Sequence, residues 1–267
     1  ILSIRNQRNT AISHQVRQLE EWLGEPMFTR RGHALTLTRK GASYLVELSQ
    51  AFDHMAAATG RVRGVGDGPL RITVLPSFAS RWLLPRLPAF RERHPGVDLR
   101  VTSSLETWGG GDEFDAGIRS GLGRWPGLKA DLLARESLSP VCSPAFAQGA
   151  PLLATPAGLA SVPLLHDQPR AAWALWCRHA NVSPDLSKGP VFNDSALALQ
   201  AAVEGQGVAL GRLTLADDDL RKGRLVRLFD LVLPNDYSYW IVYSRAAAQR
   251  PDLAAFRSWL LEEARQA

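Results

Sequence analysis

Two cysteines, Cys142 and Cys177, occur in 267 residues, far apart and in no Cys-x-x-Cys pair. Neither a structural metal site nor redox chemistry is indicated, and so few cysteines suit a reducing compartment. No apolar run reaches the length of about eighteen residues that a membrane-spanning helix needs. Residues 1–10 are polar and carry no signal-peptide pattern, so a cytoplasmic, soluble chain is expected. Catalytic signatures are missing too: no His-Glu-x-x-His, no Walker loop and no Gly-x-Ser-x-Gly. No enzyme and no cofactor are expected. His166-Asp167 is an isolated pair that a loop contact explains, and Trp173 and Trp176 read as packing residues.

What is present begins with charge. The net charge of +5 is uneven: residues 1–40 hold seven basic side chains against three acidic ones, a net of +4. Ile12, Val16, Leu19 and Leu23 form one apolar stripe of a helix. On its other face stand Ser13, His14 and Arg17, groups able to reach base edges and phosphates. Residues 28–37 follow as a hairpin with a basic tip, Arg30-Arg31-Gly32-His33. A recognition helix followed by a basic wing is the layout of a winged helix-turn-helix. Thr38 caps a further helix expected to run to about Arg63, along which Leu45, Leu48, Phe52, Met55, Thr59 and Val62 keep coiled-coil spacing. Gly64 to Pro69 reads as a joint, not a nucleotide loop.

From Leu70 the pattern alternates between strand and helix. Residues 70–74, 97–101 and 114–118 read as strands, and 81–94 as a helix closed by Pro95. A helix over 195–204 ends at Gly205 and Gly207, strands are expected over 208–211 and 239–243, and an amphipathic helix over 253–264 closes the chain. This βαβ alternation predicts an α/β fold with a mainly parallel sheet covered by helices. A hydrophobic content of 45% supports more than one domain.

Residues 11–30, Ala-Ile-Ser-His-Gln-Val-Arg-Gln-Leu-Glu-Glu-Trp-Leu-Gly-Glu-Pro-Met-Phe-Thr-Arg, resemble the heads of LysR-type transcriptional regulators. The resemblance continues through Phe114 to Gly121, Trp125 to Leu128 and Val141 to Pro144, which are similar to the branch of glycine-cleavage activators and β-lactamase regulators. It implies a remnant winged helix-turn-helix over 1–40 and a linker (dimerisation) helix and hinge over 41–68. Residues 69–267 would form a two-lobed, periplasmic-binding-protein-like (type 2) effector domain, with lobe I at 69–140 and 238–267 and lobe II at 141–237. The family normally opens with a first helix and a complete second helix. On that pattern the head is expected to be N-terminally truncated, with DNA binding impaired.

Open α/β sheets bind ligands at the C-terminal ends of their strands, where helix N-termini present free N–H groups. The resemblance puts effector contacts in those loops: Ser77, between the first strand and helix; Ser103, after the second strand; Arg119, after the third; Asp194 and Ser195, at the opening of a helix of the other lobe; and Tyr239. Ser77 and Ser80 also read as plain helix caps, and Arg119 as a surface ion pair. Thr10, Ser13, His14, Arg17, Arg30 and Arg31 are the DNA-binding candidates. The implied partners are double-stranded operator DNA, a small-molecule effector such as an amino acid or small anion, and further copies in a homodimer or homotetramer. A cytoplasmic solute-binding protein without DNA binding is the second reading.

Overall fold

A computed structural model describes residues 14–31, 34–45, 47–48, 51, 68–106, 108, 110, 113–167 and 171–266, excluding the side chains of Arg30, Arg31, Ala34 and Ala171. The chain divides into two units, Ile1–Val62 and Arg63–Ala267.

In the first unit, helix α1 covers residues 14–23, with Val16, Leu19 and Leu23 half-buried and His14 and Arg17 exposed. Strands β1 (Phe28–Arg31) and β2 (Ala34–Leu37) pair antiparallel, Phe28 opposite Leu37. The Glu20 carboxylate accepts from the amides of Met27 and Phe28 at 2.7 and 3.0 Å, which ties the wing to α1. Thr38 Oγ1 accepts from the Gly41 amide at 2.9 Å and caps helix α2, described over 39–45, 47–48 and 51. Its hydroxyl also donates to the Pro26 carbonyl at 2.9 Å. Gly41 is required by close approach: a Cβ there would lie 2.1 Å from the Met27 carbonyl oxygen. Of the expected seam, Leu45 is exposed and Leu48 half-buried; Phe52, Met55, Thr59 and Val62 lie outside the described residues, as does most of the joint.

The second unit contains two sheets. The first runs β4–β3–β5–β13–β6 and is built from β3 (Leu70–Val74), β4 (Leu99–Ser103), β5 (Ala116–Gly121), β6 (Lys129–Ala134) and β13 (Ser238–Tyr243). β3 is parallel to β4 and β5, whereas β13 is antiparallel to β5 and β6. The second sheet runs β11–β7–β10–β8–β9, with β7 at Ser137–Cys142, β8 at Leu164–Asp167, β9 at Val191–Phe192, β10 at Val208–Arg212 and β11 at Val226–Arg227. A short β12 (Leu233–Pro234) also pairs with β7.

Helices cover these sheets. After β3 comes α3 (Pro76–Phe78), a π-helical turn (Ala79–Leu83) and α4 (Leu84–Arg93). Helix formation therefore starts before residue 81. Pro76 occupies the first turn, where a missing N–H costs nothing. Pro85 cannot return an N–H to Arg81 and its ring crowds that carbonyl, and the turn ahead of it is widened. In the second lobe follow α5 (Pro144–Gly149), α6 (Ala171–His179), α7 (Ser195–Val203) and α8 (Leu213–Arg221); α9 (Pro251–Gln266) returns to the first. Leu70, Ile72, Val74, Ile118 and Ile241 are fully buried beneath Phe90, Phe256 and Trp259. The second core gathers Leu138, Leu159, Trp173, Trp176 and Leu210. Trp173 and Trp176 meet edge to face at 6.2 Å, as packing residues.

β7 corrects the lobe boundary drawn from sequence. Leu138 to Val141 pair with β10 in the second sheet, so the chain crosses between lobes at Arg135–Glu136, earlier than residue 140. The return crossing lies beside it: the Asn235 amide donates to the Glu136 carbonyl at 2.9 Å.

Candidate functional site

The parallel strands of both sheets deliver their C-terminal ends to the junction of the lobes. On the second lobe α7 begins with Asp194, whose carboxylate accepts from the Ala196 amide at 2.7 Å. Ser195 donates its hydroxyl proton to Asp167 Oδ2 at 2.7 Å and accepts from Arg212 Nε at 3.1 Å. Asp167 ends β8 and Arg212 ends β10, with 3.6 Å between carboxylate and guanidinium. The hydroxyl is thus held at a fixed angle between two opposite charges at a helix N-terminus, a polar surface able to address both ends of a small zwitterion or anion.

The first lobe contributes Tyr239, which is 2% exposed and packs on Phe78 with ring centroids 4.7 Å apart. Burial pushes its phenol pKa far up, and the charges of Glu136, Asp167 and Asp194 push the same way against Arg212. Tyr239 is therefore a neutral hydroxyl, near enough to the acidic groups of the second lobe for their charges to act on it. Ser103 ends β4 in register with Val74, on the sheet face that Tyr239 shares through Ile118, and it is exposed. Ser77 lies half-buried in the first turn of α3. Neither Ser77 nor Ser80 caps that helix: Leu75 is the N-cap, without a side-chain bond, and Ser80 Oγ donates back to the Pro76 carbonyl at 3.0 Å.

Arg119 departs from its expected place. It lies within β5 instead of after it, and its register opposite Trp240 puts it on the sheet face away from Tyr239. It is 7% exposed and bonded to Thr73 Oγ1 at 2.8 Å and to the Ile118 carbonyl at 3.0 Å, so a surface ion pair is excluded. Burial lowers its pKa. The structure brings Asp194 and Ser195 together with Asp167 and Arg212, places Tyr239 and Ser103 on one face of the first sheet, and puts Arg119 on the other.

Asp167, Arg212 and Glu136 were not among the sequence candidates. In sequence Asp167 reads as half of an isolated pair, and its role depends on the parallel pairing of β8 with β9 and β10. Glu136 is 3% exposed in the crossing segment. Its Oε1 accepts from the amides of Ser137 at 2.8 Å and Thr214 at 3.2 Å, capping α8 from outside the helix. Burial lifts its carboxyl pKa to about 7, against those hydrogen bonds and the attraction of Arg212. Cys142 and Cys177 are buried thiols with raised pKa values, inert by environment.

In the head, His14 and Arg17 stand exposed on α1. Thr10, Ser13 and the side chains of Arg30 and Arg31 lie outside the described residues, as do the residues on which the expected truncation turns. Lys40 pairs with Glu25.

A two-lobed α/β unit with polar groups gathered at its strand ends, accompanied by a unit of helix and wing, defines the class of ligand-responsive DNA-binding regulators. The family model of the LysR substrate binding domain matches residues 63–265, and that of the bacterial regulatory helix-turn-helix protein, lysR family, matches residues 6–42. The glycine cleavage system transcriptional activator of Escherichia coli (strain K12) is 38% identical over 257 residues, covering 95% of this chain and 84% of that protein. The HTH-type transcriptional activator AmpR of Pseudomonas aeruginosa is 34% identical over 258 residues, 95% of this chain and 86% of its own. The solved effector domain of AmpR from Pseudomonas aeruginosa superposes with a TM-score of 0.64 at 32% identity, covering 74% of this chain and 96% of that one. CrgA of Neisseria meningitidis shares the fold over 96% of this chain and 90% of its own, with a TM-score of 0.59 at 24% identity. The chain belongs to the LysR family of bacterial transcriptional regulators. It is a DNA-binding regulator with an effector-binding domain and not an enzyme, and the helix-turn-helix match disfavours a solute-binding protein without a DNA head. Among the described residues no helix is long and apolar enough to cross a membrane.

Proposed function

We propose that this regulator binds an amino acid or small anion between its two lobes, and that the bound effector redistributes a homodimer or homotetramer between arrangements on operator DNA in the cytoplasm. The effector acts through its difference in affinity for those arrangements. The observation that carries the reading is the Ser195 hydroxyl, held between Asp167 and Arg212 at the opening of α7. In this reading Ser195, Tyr239, Ser77 and Ser103 supply neutral hydroxyls to the effector, Arg212 its counter-charge, and Asp194 and Asp167 hold the helix opening in place. Arg119 braces the far face of the sheet through Thr73.

The head occupies residues 1–40, the linker helix and hinge 41–68 and the effector domain 69–267. Ser13, His14 and Arg17 address the major groove, Arg30 and Arg31 the flanking backbone or minor groove, and Thr10 is a further DNA contact. The test is calorimetric titration of the full chain with amino acids and small carboxylates, alongside the Ser195→Ala and Tyr239→Phe variants. A ligand bound by the parent and weakened about tenfold by either change supports the cleft. Unchanged binding in both variants removes the effector from it.

A further inference from the structure

Behind the crossing segments, away from Ser195, lies a cavity of about 530 Å³. Trp82, Leu133 and Ala264 line it from the first lobe, and Leu213, Thr214 and Leu220 from the second. Arg135 of the crossing segment and Arg227 of β11 complete the wall. Trp82 and Leu133 are buried, so the floor is apolar and firm.

The charges around this cavity do not balance. Asp217, on its rim, is already engaged by Arg86 at 3.4 Å and Arg221 at 3.1 Å. Arg86, stacked 4.6 Å from the Trp82 ring centroid, also has Glu263 at 4.0 Å. Arg135 and Arg227 make no ion pair with any carboxylate among the described residues, and both are exposed at the cavity. Two guanidiniums without carboxylate partners, set over an apolar floor of this volume, match the design of small-molecule sites: an apolar body with a few polar anchors.

We infer that the cavity behind the hinge is a second ligand site, distinct from the effector cleft, and that it takes an amphipathic carboxylate. Arg135 and Arg227 grip the carboxylate while the apolar tail lies against Trp82, Leu133 and Leu220. A carboxylate with an apolar tail fits because the lining sets apolar side chains, Trp82, Leu133 and Leu220 among them, beside two guanidiniums. Both lobes wall the site, so its occupancy biases their relative position. The Thr214 amide on this wall donates to Glu136 at 3.2 Å, a direct link to the crossing segment. Coupling to the effector cleft is reciprocal by thermodynamic necessity.

The experiment is calorimetric titration of the full chain with sodium octanoate, beside acetate (charge without tail) and 1-octanol (tail without charge). Saturable binding of octanoate, with acetate and octanol each weaker by about tenfold or more, is expected. The Arg135→Ala/Arg227→Ala double variant should weaken octanoate by at least about tenfold, while Ser195→Ala leaves it within about twofold. The single variants Arg135→Gln and Arg227→Gln, on exposed positions, carry the same test if the double variant loses its fold. The inference is overturned if octanoate fails to bind, or if octanol binds as tightly. Unchanged affinity in the arginine variants overturns it as well, and so does a Ser195→Ala variant that weakens octanoate as much as they do, which would put octanoate in the cleft.

Discussion

Glu136 concentrates several demands in one side chain. Its carbonyl joins the two crossing segments, its carboxylate caps α8, and its burial makes the charged form costly. The folded protein holds a proton on Glu136 up to about pH 7, whereas the same group ordinarily releases it near pH 4.5. Between those values the native state binds more protons than the unfolded chain, so stability falls as pH rises through this window and levels off above about 7. The cost accumulated is of the order of 3 kcal/mol. Glu136→Gln keeps an acceptor for Thr214 and Ser137 and removes the titration. Thermal denaturation from pH 4.5 to 8 should show a flatter profile for this variant and a higher Tm at pH 8; a parallel profile would place the titration elsewhere. Nothing in the sequence singled out Glu136, because burial is a property of the packing around it.

At the scale of elements, the head depends on close backbone contact between α2 and the turn before the wing. Gly41→Ala places a methyl group against the Met27 carbonyl, at a distance no real Cβ tolerates, and forces α2 away from Met27. The variant should lose operator binding in a mobility-shift assay while effector titrations stay as in the parent. Loss of both would show a global defect. Leu48 is half-buried on the same helix, within the spacing that reads as an oligomer seam. Leu48→Glu sets a charge in that seam at a cost of several kcal/mol, and light scattering should then report a smaller assembly. An unchanged mass would assign assembly to other surfaces. The wing was legible from its basic tip between alternating residues, and β1 and β2 follow it closely. β6 and β7 were not legible: Lys129-Ala-Asp-Leu-Leu-Ala has no clean period of two, and Pro140 argues against an interior strand. Pairing with β13 and β10 overrides both signals.

Across the whole effector-binding unit, the lobes are joined by more than the crossing strands. Arg81, on the widened turn of the first lobe, donates to Asp219 of α8, to the Ala196 carbonyl at 2.9 Å and to Gln200 Oε1 at 3.0 Å. Asp219 is 2% exposed and also paired with Arg224. Removing Arg81 leaves that buried carboxylate short of one charged donor, a loss of about 2 kcal/mol. Arg81→Met should lower the Tm by several degrees and change effector affinity, because the bonds it removes tie the two lobes to each other. An altered Tm with unchanged affinity would make Arg81 a brace with no part in the response.

The alternation of strand and helix, the basic first forty residues and the ordered motifs from Ala11 to Pro144 determined, from sequence alone, a regulator with a DNA head and a two-lobed ligand domain. Those features are carried by local periodicity and by residue order, which a linear chain records directly. What the tertiary structure alone decided is which polar groups meet. Asp167 and Arg212 reach Ser195 because β8 and β10 lie side by side although they are distant in the chain. Arg119 turns away from Tyr239 because one step of register along β5 reverses the face of the sheet. Sheet order and register arise from long-range pairing, and no local pattern in the sequence encodes them.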